Sequence, residues 1–488
     1  MIERMSIGSG PLGFSAVIPL FRVERYLPDL LGSLTRQRPG DYTLEVIFID
    51  DGSPDRSGDL AQEWLDGTGA AGRVIRQPNA GVSVARNVGI DAATADWVTF
   101  PDSDDFLSID YFRRAAHFLR RHGEGVSVAS TRLVRLSELE NRIRDVHALK
   151  FRFAAGSRRV SMVDFPDFFQ LNVASVFFRR GDLLARGTRF RTGLHASEDA
   201  LFVAEFLLHE SAPMLGLVAD ARYVYRRRAA GDSAIDRFRD NPDTYIGRFR
   251  DGYLQLMEQA ASIGAVPQWL QAMFLYECQW LLPAQLTDDG YASVLDAAAR
   301  GETLAALAAC AAHVDEDRLF RYDATALPLE SRLLLNRLAG RPVPSWVGAY
   351  RRGTVLHLPV ADPASVQLRG SGDQLIEADA TVVTPDYFGQ QILHRWSADS
   401  PGSVRVAADG RGRAVIETVR GESLAQQQDR HRRRVFSQLR RAVPAREGEV
   451  RVWKPVPGPF GSPWRRMGWD AQLLRHRLGR LVRRWLRR

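Results

Sequence analysis

The 488-residue chain is longer than the size at which a single hydrophobic core stops growing, so several domains are expected. Hydrophobic residues make up 45% of it and charged residues 25%, a composition that excludes disorder throughout the chain. The net charge is +8, and residues 464–488 contain nine arginines and one aspartate, which accounts for the whole excess. The positive charge therefore belongs to a tail, and no nucleic-acid partner is expected.

Membrane-spanning segments are not expected. The chain has no run of roughly 18 apolar residues, and its first 15 residues contain no apolar core of signal-peptide length. Cys278 and Cys310 lie in apolar, helix-like surroundings, which favours buried free thiols over a disulfide or a metal site. We therefore expect a cytoplasmic protein whose contact with a membrane is at most peripheral, at its inner face.

Residues 14–105 alternate short apolar runs with amphipathic stretches, which is typical of a parallel sheet with crossover helices. The expected strands are FSAVIP, LEVIFID, RVIRQ and DWVTFP. One expected helix places Leu27, Leu30, Leu31 and Leu34 on a single face, and VSVARNVGIDAA forms another. Each strand ends where a polar motif begins. In open α/β sheets ligands bind at the carboxyl ends of the strands, so these motifs are candidate site residues.

The rest of the chain changes character twice. Residues 236–345 are alanine- and leucine-rich with helical periodicity, and residues 346–425 hold short alternating runs separated by Gly, Pro and Asp. We expect an α/β domain over 1–235, an α-helical domain over 236–345, a small β-rich domain over 346–425 and a basic tail over 426–488.

Within the tail, apolar residues recur at helical spacing between arginines; they are Leu474, Leu478, Leu481, Val482 and Trp485. This pattern favours an amphipathic helix on an anionic membrane surface. A basic helix packed on its own domain or on a partner is the alternative.

Two acidic motifs directly follow apolar strands. Asp50 and Asp51 can accept hydrogen bonds from a nucleotide, or can cap the next helix. Asp102, Asp104 and Asp105 would repel one another unless a cation neutralised them, and hard oxygen ligands favour Mg²⁺ or Mn²⁺. An acidic turn between strand and helix is the competing explanation for the second motif.

Three further motifs carry charge. Arg86 lies one turn into its helix, which suits a diphosphate or a nearby carboxylate but also an exposed surface arginine. Glu198 and Asp199 precede an apolar helix, an arrangement that capping and the helix dipole explain by themselves. The segment YRRRAAGDS, with Arg226–Arg228 and Ser233, would contact phosphates or be solvated charge.

The ordered strings VIPLF, VIFIDDGSPD, NAGVSVARNVG and FPDSDD closely resemble those of the family 2 glycosyltransferases, which have the GT-A fold. The resemblance covers about residues 14–235. It implies an inverting transfer from a nucleotide-diphosphate sugar, such as a UDP-sugar, with Mn²⁺ or Mg²⁺ as cofactor. Phe21 and Arg22 stand where the family often has Tyr-Asn, which leaves the nucleotide open.

The resemblance also implies roles for individual residues. Asp199 would be the general base, and Asp104 with Asp102 would bind the metal, with Asp105 in support. The implied donor-binding residues are Pro19, Asp51, Arg86, Asp102, Glu198, Arg226, Arg228 and Ser233.

The succession of a catalytic domain, helices and a β domain resembles bacterial enzymes that glycosylate teichoic-acid-type wall polymers or build surface polysaccharide. The implied acceptor is therefore a polyol-phosphate polymer or another glycan, with a protein acceptor as the runner-up. A catalytically inactive sugar-nucleotide-binding scaffold is the alternative from another class, and retention of both Asp104 and Asp199 argues against it. The sequence leaves homo-oligomerisation open.

Overall fold

The computed structural model describes residues 10–194, 196–229, 241–282, 295–322, 324–325, 327, 329–342, 350–352, 354–370, 372, 374–384, 386–391, 393–399, 404–407 and 413–416. These residues form two compact units, one reaching residue 273 and the other beginning at residue 274. None of the helices described is both long and apolar enough to cross a membrane.

The first unit is built on a mixed sheet of ten strands among the described residues. Its strands are β1 Leu12–Leu20, β2 Tyr42–Asp51, β3 Gly72–Gln77, β4 Trp97–Thr99, β5 Phe106–Leu107, β6 Val128–Ser137, β7 Arg142–Arg144, β8 Arg158–Ser161, β9 Val176–Arg179 and β10 Met214–Arg227. Its helices up to β10 are α1 Leu27–Thr35, α2 Ser57–Thr68, α3 Val82–Ala92, α4 Tyr111–His122, α5 Arg180–Arg186 and α6 Glu198–Leu208.

The strands are ordered β3-β2-β1-β4-β9-β6-β10-β5, with β7 beside β6 and β8 beside β10. The four strands from β3 to β4 are parallel, as the alternation of strands and helices predicted. Strand β9 is antiparallel to both β4 and β6, whereas β6 and β10 are parallel to each other. The carboxyl ends of β1, β2, β3 and β4 therefore share one edge of the sheet.

Burial explains why the sequence forms these elements. Strand β1 is buried along almost its whole length because helices cover both faces of the sheet, so it is a continuous apolar run without alternation. Helix α1 buries Leu27, Leu30, Leu31 and Leu34, which confirms the predicted apolar face. The four expected strands and both expected helices are present, and their ends lie within two residues of the predicted ones.

Helix α6 is held on the sheet by an aromatic cluster. Phe202 of this helix stacks on Phe190 with ring centroids 3.9 Å apart, and its edge meets Phe100 and Phe178 at 5.8 and 5.3 Å. Aromatic pairs in such arrangements contribute about 0.5–1.5 kcal/mol each beyond their buried area. The cluster fixes the amino end of α6, where Glu198 and Asp199 lie.

Helices continue along the chain past β10. They span Asp243–Gly247, Arg248–Leu254 in π geometry, Gln255–Ile263, Gln268–Leu281, Ala297–Ala312, Glu316–Arg321 and Leu329–Leu338. Cys278 and Cys310 are both buried, as predicted, and they are not joined to each other in a disulfide. Helical structure in the predicted helical region thus agrees with the sequence pattern.

The second unit contains two small antiparallel sheets of four strands each among its described residues. The strands are β11 Tyr350–Arg352, β12 Val355–Val360, β13 Gln367–Arg369, β14 Leu375–Ile376, β15 Ala380–Val383, β16 Asp386–Tyr387, β17 Gln390–Gln391, β18 His394–Asp399, β19 Val404–Ala407 and β20 Arg413–Ile416. The sheets are ordered β11-β12-β18-β15 and β14-β13-β19-β20, and they share an apolar core that includes Leu358, Leu368 and Trp396. The fold is therefore α/β followed by helices and a small β-rich part, as expected.

Candidate active site

Asp51 ties the end of β2 to the turn that precedes α3. Its two carboxylate oxygens accept hydrogen bonds from the backbone N–H groups of Ala80 and Gly81, at 2.9 and 2.8 Å. Gly52 follows with a φ of +67°, and a Cβ at that position would lie 2.8 Å from the backbone nitrogen of Asn79. A side chain there is excluded, which is why the motif needs glycine at this turn.

Asp50 has a different environment from its neighbour. It is buried, accepts a hydrogen bond from the Ser53 N–H at 3.0 Å and pairs with Arg76 at 3.2 Å. It therefore closes the turn after β2. Pro19 lies opposite Ile49 in the register of β1 and β2, one residue before β1 ends, and so reaches the same sheet edge.

Arg86 is the centre of the site. Its side chain is only 4% exposed, and its guanidinium meets three carboxylates, with Asp199 at 2.6 Å, Asp102 at 2.9 Å and Glu198 at 3.2 Å. Burial by itself lowers the pKa of a guanidinium, but the three carboxylates outweigh it and raise the pKa of Arg86 above its ordinary value. Of the two sequence-based interpretations, the structure supports the nearby carboxylate and not the exposed arginine.

Two of the carboxylates around Arg86, those of Asp102 and Glu198, have pKa values above the ordinary ones. Burial raises the pKa of Asp102 to about 6, and the repulsion from Asp199 and Asp104 adds to this effect while Arg86 opposes it. Burial likewise raises the pKa of Glu198 to about 7, with repulsion from Asp199 as the second cause. One arginine does not neutralise so many acids, so this cluster readily takes up a proton or a cation near neutral pH.

Asp105 is a buried structural member of the acidic motif. It accepts hydrogen bonds from the Tyr223 hydroxyl and the Arg226 backbone N–H, each at 2.7 Å. Burial raises the pKa of Asp105 well above its ordinary value. The residue fastens the motif after β4 to strand β10.

Asp104 faces Arg228. Its Oδ2 atom accepts hydrogen bonds from the Nε and Nη2 atoms of that arginine, at 3.0 and 2.8 Å. The Arg228 guanidinium also lies 4.3 Å from the centre of the Tyr26 ring. Asp104 keeps 20% of its side chain exposed, so it remains accessible to a ligand.

Arg226 links this motif to two acids that the sequence did not single out. It donates from Nε to the Asp104 backbone carbonyl at 2.7 Å, from Nη1 to Glu138 at 2.8 Å and from Nη2 to Asp29 at 2.5 Å. Glu138 is 88 positions away along the chain and Asp29 is 197, so no local pattern signals either contact. Arg226 therefore holds three distant segments together.

The structure thus brings together most of the residues that the motifs predicted. Asp102, Asp104, Arg86, Glu198, Asp199, Arg226 and Arg228 form one continuous polar cluster, and Asp51 and Pro19 lie at the same sheet edge. Ser233 lies outside the described residues. The roles proposed for these residues stay predictions.

The fold and the cluster together define a class. The sheet has the order β3-β2-β1-β4, with acidic motifs at the ends of β2 and β4, and in open α/β sheets ligands bind at the carboxyl ends of the strands. Together with the acidic pair Glu198 and Asp199 at the start of α6, these features agree with the GT-A fold that the motifs predicted. Residues 15–181 match the family model described as glycosyl transferase family 2, which is the family that the motifs predicted for this part of the chain.

Two similar proteins are named for teichoic acid biosynthesis and for poly(ribitol-phosphate). The chain is 29% identical over 287 residues to the minor teichoic acid biosynthesis protein GgaA of Bacillus subtilis (strain 168), covering 58% of this chain and 62% of that protein. It is 23% identical over 232 residues to the poly(ribitol-phosphate) beta-N-acetylglucosaminyltransferase TarS of Staphylococcus aureus (strain Mu50 / ATCC 700699), covering 48% of this chain and 38% of that protein. The chain therefore spans less than two thirds of either relative.

A solved structure shares the fold. The crystal structure of S. aureus TarS superimposes with a TM-score of 0.51 over 83% of this chain and 77% of that one, at 15% sequence identity. At this identity the match concerns the fold alone, and it confirms the expected GT-A type.

Proposed function

We propose that this chain is an inverting glycosyltransferase that moves a sugar from a nucleotide-diphosphate donor to a hydroxyl group of an anionic cell-wall polymer. The observation that carries the proposal is the position of the buried Arg86 guanidinium. It joins Asp102 of the acidic motif to Glu198 and Asp199, which lie 112 and 113 positions from the arginine in sequence. In a transferase, the sugar donor and the general base must both face the reacting carbon. The contacts of Arg86 would hold the donor-binding motif and the base-carrying motif in that arrangement.

We assign the role of general base to Asp199. Its Oδ1 atom is held by Arg86 at 2.6 Å and its Oδ2 atom accepts the Val173 N–H at 3.3 Å, so the carboxylate is oriented from both sides. The side chain is 23% exposed, which leaves an acceptor hydroxyl able to reach it. Asp199 takes the hydroxyl proton as the oxygen attacks the anomeric carbon, the bond to the diphosphate breaks, and configuration inverts in one displacement.

The chemistry of the acidic motif fits a divalent cation. The side chains of Asp104 and Asp102 are 20% and 33% exposed, and carboxylate oxygens are the donors that Mg²⁺ and Mn²⁺ prefer. Within the described part of the chain, no group of three or more His, Cys, Asp or Glu side chains is arranged to hold a metal alone. A cation at Asp104 and Asp102 would be bound by one or two carboxylates plus the donor phosphates. When bound, such a cation would neutralise charge on the departing diphosphate.

The relatives support the substrate classes. GgaA is a teichoic acid biosynthesis protein, and TarS transfers N-acetylglucosaminyl groups to poly(ribitol-phosphate), as their names state. We infer a UDP-sugar as donor and a polyol-phosphate polymer as acceptor. UDP-N-acetylglucosamine and a ribitol-phosphate oligomer are therefore the first pair to test.

The test is the substitution Asp199→Asn, which preserves shape and removes the base. We expect the rate of UDP release in the presence of Mn²⁺ and the oligomer to fall about 10²- to 10⁴-fold. Donor binding, followed as the rise in Tm with UDP-N-acetylglucosamine, should persist. Asp59→Asn is the matched control because Asp59 also lies in the first turn of a helix and pairs with an arginine, Arg76, at 2.7 Å; its activity should match the wild type.

The possible results separate the proposals. Near-wild-type turnover by Asp199→Asn would show that the base is another residue. A wild-type protein that binds the donor but transfers sugar to none of the polyol-phosphate, glycan or protein acceptors would instead favour an inactive scaffold.

A further inference from the structure

A cluster of four arginines lies on one face of strands β7, β6 and β10. In the register of β6 and β7, Arg135 is opposite Arg144 and Ser137 is opposite Arg142. Ser137 is also opposite Arg227 of β10. Because directly paired residues on neighbouring strands point to the same side of a sheet, the four arginines and Ser137 share one face, which we call the arginine face.

These side chains converge on a small cavity. It has a volume of about 80 Å³ and is lined by Arg135, Ser137, Glu140, Arg142, Arg144 and Arg227. Every lining side chain is charged or hydroxylated. The apolar side chains of the same hairpin, Leu136 and Ile143, are paired with each other and so lie on the opposite face.

The charge of this cavity is largely uncompensated. Arg144 pairs with Glu140 at 2.9 Å, but among the described residues no carboxylate lies within ion-pair distance of Arg135, Arg142 or Arg227. Like charges placed directly opposite on neighbouring strands, as Arg135 and Arg144 are, destabilise a sheet. These arginines therefore lower the stability of the fold, which favours a role in binding. The guanidinium is planar and offers paired N–H donors that match the oxygens of a phosphate group.

The arginine face adjoins the active site through strand β10. Arg226 and Arg228 donate hydrogen bonds to Asp104, and Arg227 lies between them with its side chain on the other side of the strand. Strand β6 continues into Glu138, whose backbone N–H bonds to the Arg227 carbonyl at 3.2 Å while its side chain accepts from Arg226. An extended anionic chain that passes the end of β10 can therefore meet both the acidic cluster and the arginines.

We propose that the arginine face is an anchoring site for a phosphodiester group of the acceptor polymer, at a repeat other than the one that receives the sugar. The inference takes the class of acceptor, an anionic polymer, from the proposed function. It adds the place on the protein where that polymer is held. A second contact on the same polymer makes the approach of the reacting hydroxyl effectively intramolecular, so it favours long acceptors over short ones.

The test uses the full-length variant Arg142→Gln/Arg227→Gln. Binding of a fluorescently labelled long ribitol-phosphate oligomer is measured by anisotropy, without donor, at low and moderate salt. We expect the Kd to rise about tenfold at low salt, and the difference from wild type to shrink as salt screens the charges. The KM for the long oligomer should rise in parallel, whereas the KM for a single ribitol phosphate should not change. The control is Arg114→Gln/Arg121→Gln, which removes two exposed arginines of helix α4 that have no ion-pair partner among the described residues.

Each outcome decides the question. Equal oligomer affinity in wild type and the arginine-face variant, or an equal loss in the α4 control, would overturn the proposal. So would a loss of binding to phosphatidylglycerol vesicles with unchanged oligomer binding, because the face would then recognise lipid headgroups. If the wild type transfers no sugar to the oligomer, the proposed function fails. If the wild type does transfer sugar but the arginine-face variant binds the oligomer as tightly as the wild type, the proposed function stands and only this inference fails.

Discussion

Arg86 shows how one buried side chain couples chemistry from two parts of the chain. Removing one partner of a buried ion pair generally costs about 3–5 kcal/mol, because the charge left behind has lost both water and its counterion. Here three carboxylates depend on the same guanidinium, and its planar shape lets Nη1 bind Glu198 and Asp199 while Nη2 binds Asp102. A lysine ammonium in this position would have no such fork. Arg86 therefore orients the carboxylate of Asp199, the proposed base, and also stabilises the fold.

Glu198 gives a testable pH dependence of stability. Burial and the nearby Asp199 raise the pKa of Glu198 from 4.5 to about 7 in the folded protein. The folded state therefore keeps a proton that the unfolded chain releases as pH rises between these values. Protonation of Glu198 therefore contributes fully to the free energy of unfolding below about pH 4.5, and this contribution is lost as pH rises towards 7. Between those limits we expect the unfolding free energy of the wild type to fall, relative to Glu198→Gln, by up to about 3 kcal/mol.

Urea unfolding at several pH values measures this difference. Glu63→Gln is a suitable control because Glu63 also pairs with an arginine, Arg56, but its side chain is 60% exposed. Its stability should track the wild type across the range. A Glu198→Gln variant whose unfolding free energy runs parallel to that of the wild type from pH 4.5 to 7 would contradict the raised pKa.

At the scale of elements, the position of Arg86 depends on how closely α3 packs on β1. A Cβ built on Gly89 of α3 would lie 2.0 Å from the Cγ1 atom of Val17, so the helix can approach the strand only because this residue is glycine. We expect Gly89→Ala to lower the unfolding free energy by about 1–3 kcal/mol through overpacking. Because α3 also carries Arg86, displacement of the helix should lower the rate of sugar transfer as well.

A matched helical glycine separates packing from helix propensity. Gly67 lies in α2, and a Cβ there would have no heavy atom within 4 Å. Gly67→Ala should leave stability unchanged or raise it by up to about 1 kcal/mol, since alanine is the better helix former. Thermal unfolding of both variants tests the idea, which fails if Gly89→Ala is as stable as Gly67→Ala.

The elements also show which parts of the fold a sequence predicts. Strands β1 to β4 are apolar runs bounded by turn residues, and α1 and α3 have clear helical periodicity, so local pattern was enough. Strands β5 and β7 have only two and three residues, and β9 enters the sheet between β4 and β6 in antiparallel orientation. Such pairings depend on contacts between distant segments, which no local pattern expresses.

In the candidate site, too, local motifs predicted some features and not others. The residue types of Asp102, Asp104, Arg86 and Asp199 follow from the motifs, and the structure places them in one cluster. The burial of Asp105 against Tyr223 and the bonds from Arg226 to Glu138 and Asp29 join distant segments and were not predicted. The catalytic and binding roles stay predictions until they are measured.

At the scale of the whole chain, the excess positive charge lies in the C-terminal tail, far along the sequence from the acidic cluster. The predicted basic tail, residues 426–488, lies outside the described residues, so its role is argued from sequence. Residues 464–488 carry a net charge of +8, equal to that of the entire chain, with Trp485 and four aliphatic residues at helical spacing. Each basic residue near an anionic bilayer contributes about 1 kcal/mol at low salt, and buried apolar side chains add to it.

We therefore expect the full chain to bind phosphatidylglycerol vesicles and a chain lacking residues 464–488 to bind them much more weakly in a sedimentation assay. A variant with glutamine at arginines 483, 484, 487 and 488 keeps the length and the apolar residues, so it isolates the charge and should show intermediate, less salt-dependent binding. Transfer to a soluble acceptor should be unaffected by the truncation, because all the residues of the acidic cluster precede residue 229. Equal vesicle binding by full-length and truncated protein would assign the tail to a protein partner or to its own domain, and would leave the arginine face as the basic surface to examine for contact with anionic polymers.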